Sequence, residues 1–182
     1  MERLICEGEL RTEWAGRDIS VPMHYRLLRT EEALVYRADR AAAPALHPTA
    51  QPGTFSADLW RYHCAEFFLA DPGGAPYMEF NLAPNGAWWA CLFTSPRVAA
   101  EPAPDLSAIS AAGTVSRHGW EAEMRVPLSL LTDCGIPAHT CRLAIGAALP
   151  EHGEARWLTT TPHDITAPAD FHTPAAWALT VL

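Results

Sequence analysis

The chain has 182 residues, nearly half of them hydrophobic, with a net charge of −8 and all thirteen basic residues arginine. That length and composition predict one soluble globular domain, residues 1–182, with a sizeable core. A surface this acidic, with no basic patch, excludes a phosphate-backbone partner, so no nucleic acid is expected.

The N-terminal stretch from Met1 to Trp14 lacks a basic segment followed by an apolar run, so a signal peptide is not expected. No stretch approaches the ~18 uninterrupted apolar residues of a membrane span. The expectation is a cytoplasmic protein without a membrane partner. In a reducing compartment the five cysteines, an odd number without CxxC spacing, read as free core residues.

In chain order, short alternating runs bounded by Pro and Gly predict strands at Ile5–Trp14, Ile19–Leu28, Ala33–Ala38, Tyr62–Leu69, Tyr77–Ala83 and Trp88–Phe93. Four more follow at Trp120–Val126, Arg142–Leu149, Ala155–Thr160 and Trp177–Leu182. The stretches Ala41–Ser56 and Ser95–Pro104 read as surface loops, and Pro127–Leu131 as one short helical turn. The fold class is all-β, an antiparallel jelly-roll-like sandwich of about ten strands.

The Asn85-Gly86 pair predicts a two-residue type I′ turn. That register sets Leu82 opposite Trp89, Asn81 opposite Ala90 and Ala83 opposite Trp88. Met78, Phe80, Leu82, Trp89, Cys91 and Phe93 then face the core. Tyr77, Glu79, Asn81, Trp88, Ala90 and Leu92 form a mixed opposite face. Pairing Ala70 with Tyr77 keeps Ala65, Phe67 and Leu69 in the core and brings Glu66 opposite Asn81.

Candidate chemistry collects on the mixed face. Glu66, Glu79 and Asn81 beside Trp88 fit hydroxyl recognition with an indole packed on a sugar ring. The alternative is solvated carboxylates with Trp88 packed under a loop. Two carboxylates also suit the acid and nucleophile of a glycosidase, although nothing in the sequence sets their separation. No nucleophile elbow and no Gly-rich phosphate loop occurs, so acyl and phosphoryl transfer are not expected. A metal cluster of His63, His163 and His172 requires the C-terminal hairpin to fold back over the Tyr62–Leu69 strand. A haem site requires Met78 or Met124 with a histidine as an axial pair. No specific motif supports either calcium or haem.

The segments L-W…C-A-E-F-F-L, Y-M-E-F-N-L-A-P-N-G-A-W, W-E-A-E-M-R-V-P-L-S-L-L and P-A-D-F-H-T-P together resemble the DOMON-like superfamily. Within it they are most similar to the branch related to family 9 carbohydrate-binding modules, over Leu59 to the C-terminus. The resemblance implies a sandwich with a ligand pocket on a concave face, holding a sugar or a haem, with structural calcium in some members. By position it implies Trp88, Glu66, Glu79 and Asn81 in the hairpin region, and Trp157 and His172 near the C-terminus. Arg61-Tyr62-His63-Cys64 stands where such sugar binders carry an acidic pair.

The expected function is non-catalytic binding of a small molecule, a carbohydrate or glycoconjugate. The expected site is Trp88 with Trp60 or Trp157 as a second wall, and Glu66, Glu79, Asn81, Arg97 and His172 as polar groups. Arg97 also suits an anionic ligand. The other readings are a haem-binding module and an interaction sandwich without a small ligand.

Overall fold

The computed structural model describes residues 1–151 and 153–182. Among them, twelve strands form two antiparallel sheets. The first sheet holds β1 (Arg3–Thr12), β2 (Asp18–Arg29), β3 (Ala33–Arg40), β9 (Gly119–Pro127) and β8 (Ser110–Ser116), in that order. The second runs β11 (Trp157–Thr159), β10 (Thr140–Ala148), β4 (Cys64–Ala70), β5 (Tyr77–Leu82), β6 (Trp88–Ser95) and β7 (Val98–Ala99). β12 (Ala178–Val181) also pairs with β10. One six-residue helix, α1 (Leu128–Asp133), follows β9 where the helical turn is expected. No described helix is long and apolar enough to cross a membrane.

The all-β sandwich expectation therefore holds, with two strands that the alternation did not reveal. β8 is an exposed edge strand of small residues, and β7 is only two residues long. Neither carries the apolar period on which strand recognition depends.

The inner faces of the two sheets enclose one cluster that includes Leu27, Leu34, Tyr36, Phe67, Phe80 and Met124. Phe67 and Phe80, opposite one another on β4 and β5, stack with ring centroids 4.4 Å apart. β4 and β5 are buried along their whole length on both faces. Their outer face is covered as well, as for a sheet enclosed on two sides. The stretch before β4 and the one between β11 and β12 supply residues to that cover. The cysteines are all free, with Cys64, Cys134 and Cys141 buried.

The β4–β5 register matches expectation, with Ala70 opposite Tyr77 and Glu66 opposite Asn81. The β5–β6 register does not. Leu82 pairs with Trp88 and Asn81 with Trp89, one residue away from the type I′ arrangement. The loop is Pro84-Asn85-Gly86, closed by Ala83 N–H to Ala87 O at 2.8 Å and Gly86 N–H to Ala83 O at 2.9 Å. Only Gly86 takes positive φ, at 82°. Proline favours the first central position of a type I turn, and the glycine then forms the left-handed bulge of a three-residue hairpin. A one-residue slip turns every later side chain over. Trp88, Ala90 and Leu92 consequently pack into the core, and Trp89, Cys91 and Phe93 face outward beside Glu79 and Asn81.

This turn also touches the other sheet. A Cβ built on Gly86 would lie 2.5 Å from the Ala112 carbonyl carbon and 2.6 Å from Gly113 N on β8. Gly86→Ala is therefore expected to cost at least the 1–3 kcal/mol of a strained left-handed residue, with backbone displacement added. Denaturant unfolding measures it, and an unchanged midpoint would contradict this close approach.

Candidate functional site

The outer face of β4, β5 and β6 forms the floor of a cleft of about 470 Å³. Strand alternation delivers Glu66 and Phe68 from β4, Glu79 from β5, and Trp89 and Phe93 from β6. Trp60 comes from the short 3-10 turn Leu59–Arg61, and Trp157 from β11. Phe171 and His172 enter from the segment before β12, and Arg97 from the tight β6–β7 connection, where it holds φ 62°.

The walls are aromatic. Trp60 and Trp157 lie 6.0 Å apart, and Trp157 meets Phe171 edge-on at 6.1 Å. Phe68 meets Phe171 edge-on at 5.9 Å. Trp60 remains 42 % exposed, with the Arg61 guanidinium over its ring at 5.1 Å. Amphipathic rings of this kind combine apolar contact area with a fixed orientation.

The floor is polar and connected. Asn81 Nδ2 donates to Glu79 Oε1 at 3.0 Å, and His172 Nε2 stands 3.7 Å from Glu79 Oε2. On its other side His172 Nδ1 meets the Tyr77 hydroxyl at 2.7 Å. That hydroxyl accepts the Arg97 backbone N–H at 3.0 Å, which leaves its own proton for Nδ1. The Arg97 guanidinium pairs with Asp170 at 2.9 Å, and Asp170 Oδ1 also accepts the His172 N–H at 2.9 Å. Two acceptors on the floor, Glu66 Oε1 and Asn81 Oδ1, are buried without a hydrogen-bond partner.

Burial governs the charge state. Desolvation, and then the neighbouring Glu79, hold the Glu66 carboxyl well above the usual carboxylate range. Desolvation raises Glu79 to about 7, against the lowering effects of Asn81 and Arg97. His172 is held below the usual imidazole value by desolvation and then by Arg97, opposed by Asp170.

The wall bearing Phe171 is anchored from the opposite sheet. Trp14, just past β1, donates its indole N–H to Ala167 O at 2.8 Å and its backbone N–H to Trp157 O at 2.6 Å. Its ring stacks on His163 at 3.9 Å and approaches Phe171 at 5.9 Å.

Of the residues expected from sequence, Glu66, Glu79, Arg97, Trp60, Trp157 and His172 line the cleft. Asn81 lies at its base, bonded to Glu79. Trp88 does not join them: it is 6 % exposed in the inter-sheet core, and the hairpin slip puts Trp89 in its place. Trp89 was legible in principle, because Pro84 before Asn-Gly signals the longer turn. Phe68 and Phe93 follow by alternation from Glu66 and Trp89, whereas Phe171, outside any strand, gives no comparable signal.

The other candidate ligand sets do not assemble. His63 bonds the Pro150 carbonyl, His163 stacks on Trp14 and His172 lies in the cleft. Among the described residues no three His, Cys, Asp or Glu side chains converge as a metal site. Met78 of the second sheet and Met124 of the first are fully buried between the sheets, away from the cleft. A metal held by three His, Cys, Asp or Glu side chains and haem with a methionine ligand therefore do not fit the described residues.

No protein-family model matches the chain, and no curated protein matches it in sequence. Solved structures do match. A candidate carbohydrate-binding protein from Bacteroides uniformis superposes with TM-score 0.75 at 16 % identity, covering 97 % of this chain and 86 % of that one. A family 9 carbohydrate-binding module from Caldicellulosiruptor kristjanssonii, solved with cellotriose, gives TM-score 0.63 at 13 % identity over 96 % of this chain and 80 % of that one. The module from the same organism solved with glucose gives the same score and identity, over 96 % and 82 %. These superpositions show that the chain has the β-sandwich fold of the family 9 carbohydrate-binding modules.

Proposed function

We propose that the cleft binds a carbohydrate and does not transform it. The observation that carries this reading is the buried Glu66 carboxyl, its Oε1 without a donor, on a floor walled by Trp60, Trp89, Trp157 and Phe171. Sugar hydroxyls supply the missing donors, while the ring's C–H face packs on an indole. The fold shared with modules solved with glucose and cellotriose supports the same ligand class.

A glycosidase reading fits less well. Burial raises both Glu66 and Glu79, whereas hydrolysis needs one carboxyl of the pair ionised as nucleophile or base. Turnover of an aryl glycoside abolished by Glu79→Gln would overturn the non-catalytic reading.

The direct test is tryptophan fluorescence titration with glucose and cello-oligosaccharides on wild type and Trp89→Ala. Saturable binding is expected for wild type, weakened by about thirtyfold or more in the variant, as for loss of a central aromatic contact. Absence of saturable binding across a panel of neutral, acidic and amino sugars would sink the proposal.

A further inference from the structure

With Glu66 and Glu79 ionised, the cleft floor has more acceptors than donors. Glu66 stands opposite Asn81 and Glu79 opposite Phe68, so both carboxyls project to one face across adjacent strands. Glu66 is 2 % exposed and its Oε1 meets no donor. The Asn81 amide gives one N–H to Glu79, and Asn81 Oδ1 is itself unpartnered.

The surrounding groups do not restore the balance. From the β6–β7 connection, Arg97 is engaged by Asp170 at 2.9 Å. From the C-terminal segment, His172 stays 3.7 Å from Glu79 and is tied to Tyr77. The paired residue Cys91 on β6 and the nearby Cys64 on β4 are thiols whose ionisation burial opposes. The Tyr77 hydroxyl is occupied by His172 and Arg97.

An ammonium supplies three donors and no acceptor, and aromatic faces attract it further. We propose that the ligand is an amino sugar, its protonated amine on Glu66 and Glu79 and its ring against Trp89. This inference rests on the carbohydrate reading and narrows it. A cation at this position draws the two carboxyls toward their ionised forms, so binding expels protons that the empty floor retains. Each pKa unit by which Glu79 falls from about 7 corresponds to a tenfold gain for the charged ligand over its neutral counterpart. The preference for the amine therefore grows as pH rises toward 7 and shrinks as acid reprotonates the floor.

The test is calorimetric titration of the intact chain with glucosamine, glucose and N-acetylglucosamine at about pH 5.5 and 7, in buffers of different ionisation heat. Glucosamine is expected to bind at least tenfold tighter than glucose at the higher pH, with proton release. N-acetylation, which keeps the ring and removes the charge, is expected to erase the advantage. Glu66→Gln and, as a second variant, Glu79→Gln are expected to bring the glucosamine-to-glucose ratio toward one. Equal or tighter binding of glucose would overturn the amino-sugar assignment and leave the carbohydrate reading intact. So would a ratio unaffected by either variant. Failure of every sugar to bind would remove both.

Discussion

Trp88→Ala is expected to lower stability by about 3–5 kcal/mol, the cost of emptying a buried large aromatic site. Its ring sits in the inter-sheet core at 6 % exposure and meets Phe55 edge-on at 5.3 Å. Its backbone anchors the preceding loop as well, donating to Thr54 O at 2.9 Å and accepting from Ser56 N–H at 2.8 Å. Trp89 differs, because its ring lines the cleft and is partly solvated. Trp89→Ala should therefore cost clearly less stability while removing a ligand wall. Chemical denaturation of the two variants side by side distinguishes them. Equal destabilisation, or a larger loss at Trp89, would contradict the hairpin register described here.

Glu79→Gln should stabilise the protein at alkaline pH and change little in acid. Glu79 is 8 % exposed, and burial raises its carboxyl from 4.5 to about 7. A carboxyl raised in the folded state favours folding while protonated. That contribution is complete below about pH 4.5 and is lost as pH climbs through 7. Above that range the folded protein carries a buried charge that the unfolded chain solvates freely, a penalty on the order of 3 kcal/mol. Glutamine keeps the oxygen that accepts the Asn81 amide at 3.0 Å and has no charge to bury. The expected gain at pH 8 is roughly 6–12 °C in Tm, falling toward zero near pH 4. His172 works in the opposite direction, since its lowered value makes acidification below about 6.5 unfavourable to folding. The wild-type comparison at each pH cancels that contribution. A difference independent of pH would rule out the buried carboxyl as its source.

The sequence exposed most of this architecture through period-two alternation. Cys64–Ala70 and Tyr77–Leu82 pair as the polar and apolar pattern requires, which is why Glu66 and Asn81 could be set opposite each other. The Asn85-Gly86 signal was correct in place and wrong in length. Pro84 lengthens the loop by one residue, and that residue decides which of two adjacent tryptophans meets a ligand. Phe171 was illegible for another reason. It belongs to a segment without regular period, whose position depends on Trp14, more than 150 residues earlier in the chain. Ser110–Ser116 stayed hidden because an exposed edge strand of small residues has no apolar face to alternate.

The Trp14 clasp bears on affinity through entropy. By holding His163, Ala167 and Phe171, it makes the C-terminal wall give up its freedom when the sheets come together, before a ligand arrives. An incoming ring then meets a surface already in its binding shape and need not freeze a loop, a cost that otherwise subtracts from contact energy. In this fold the N-terminal hairpin is thus a source of pre-organisation for a pocket to which it contributes no lining residue.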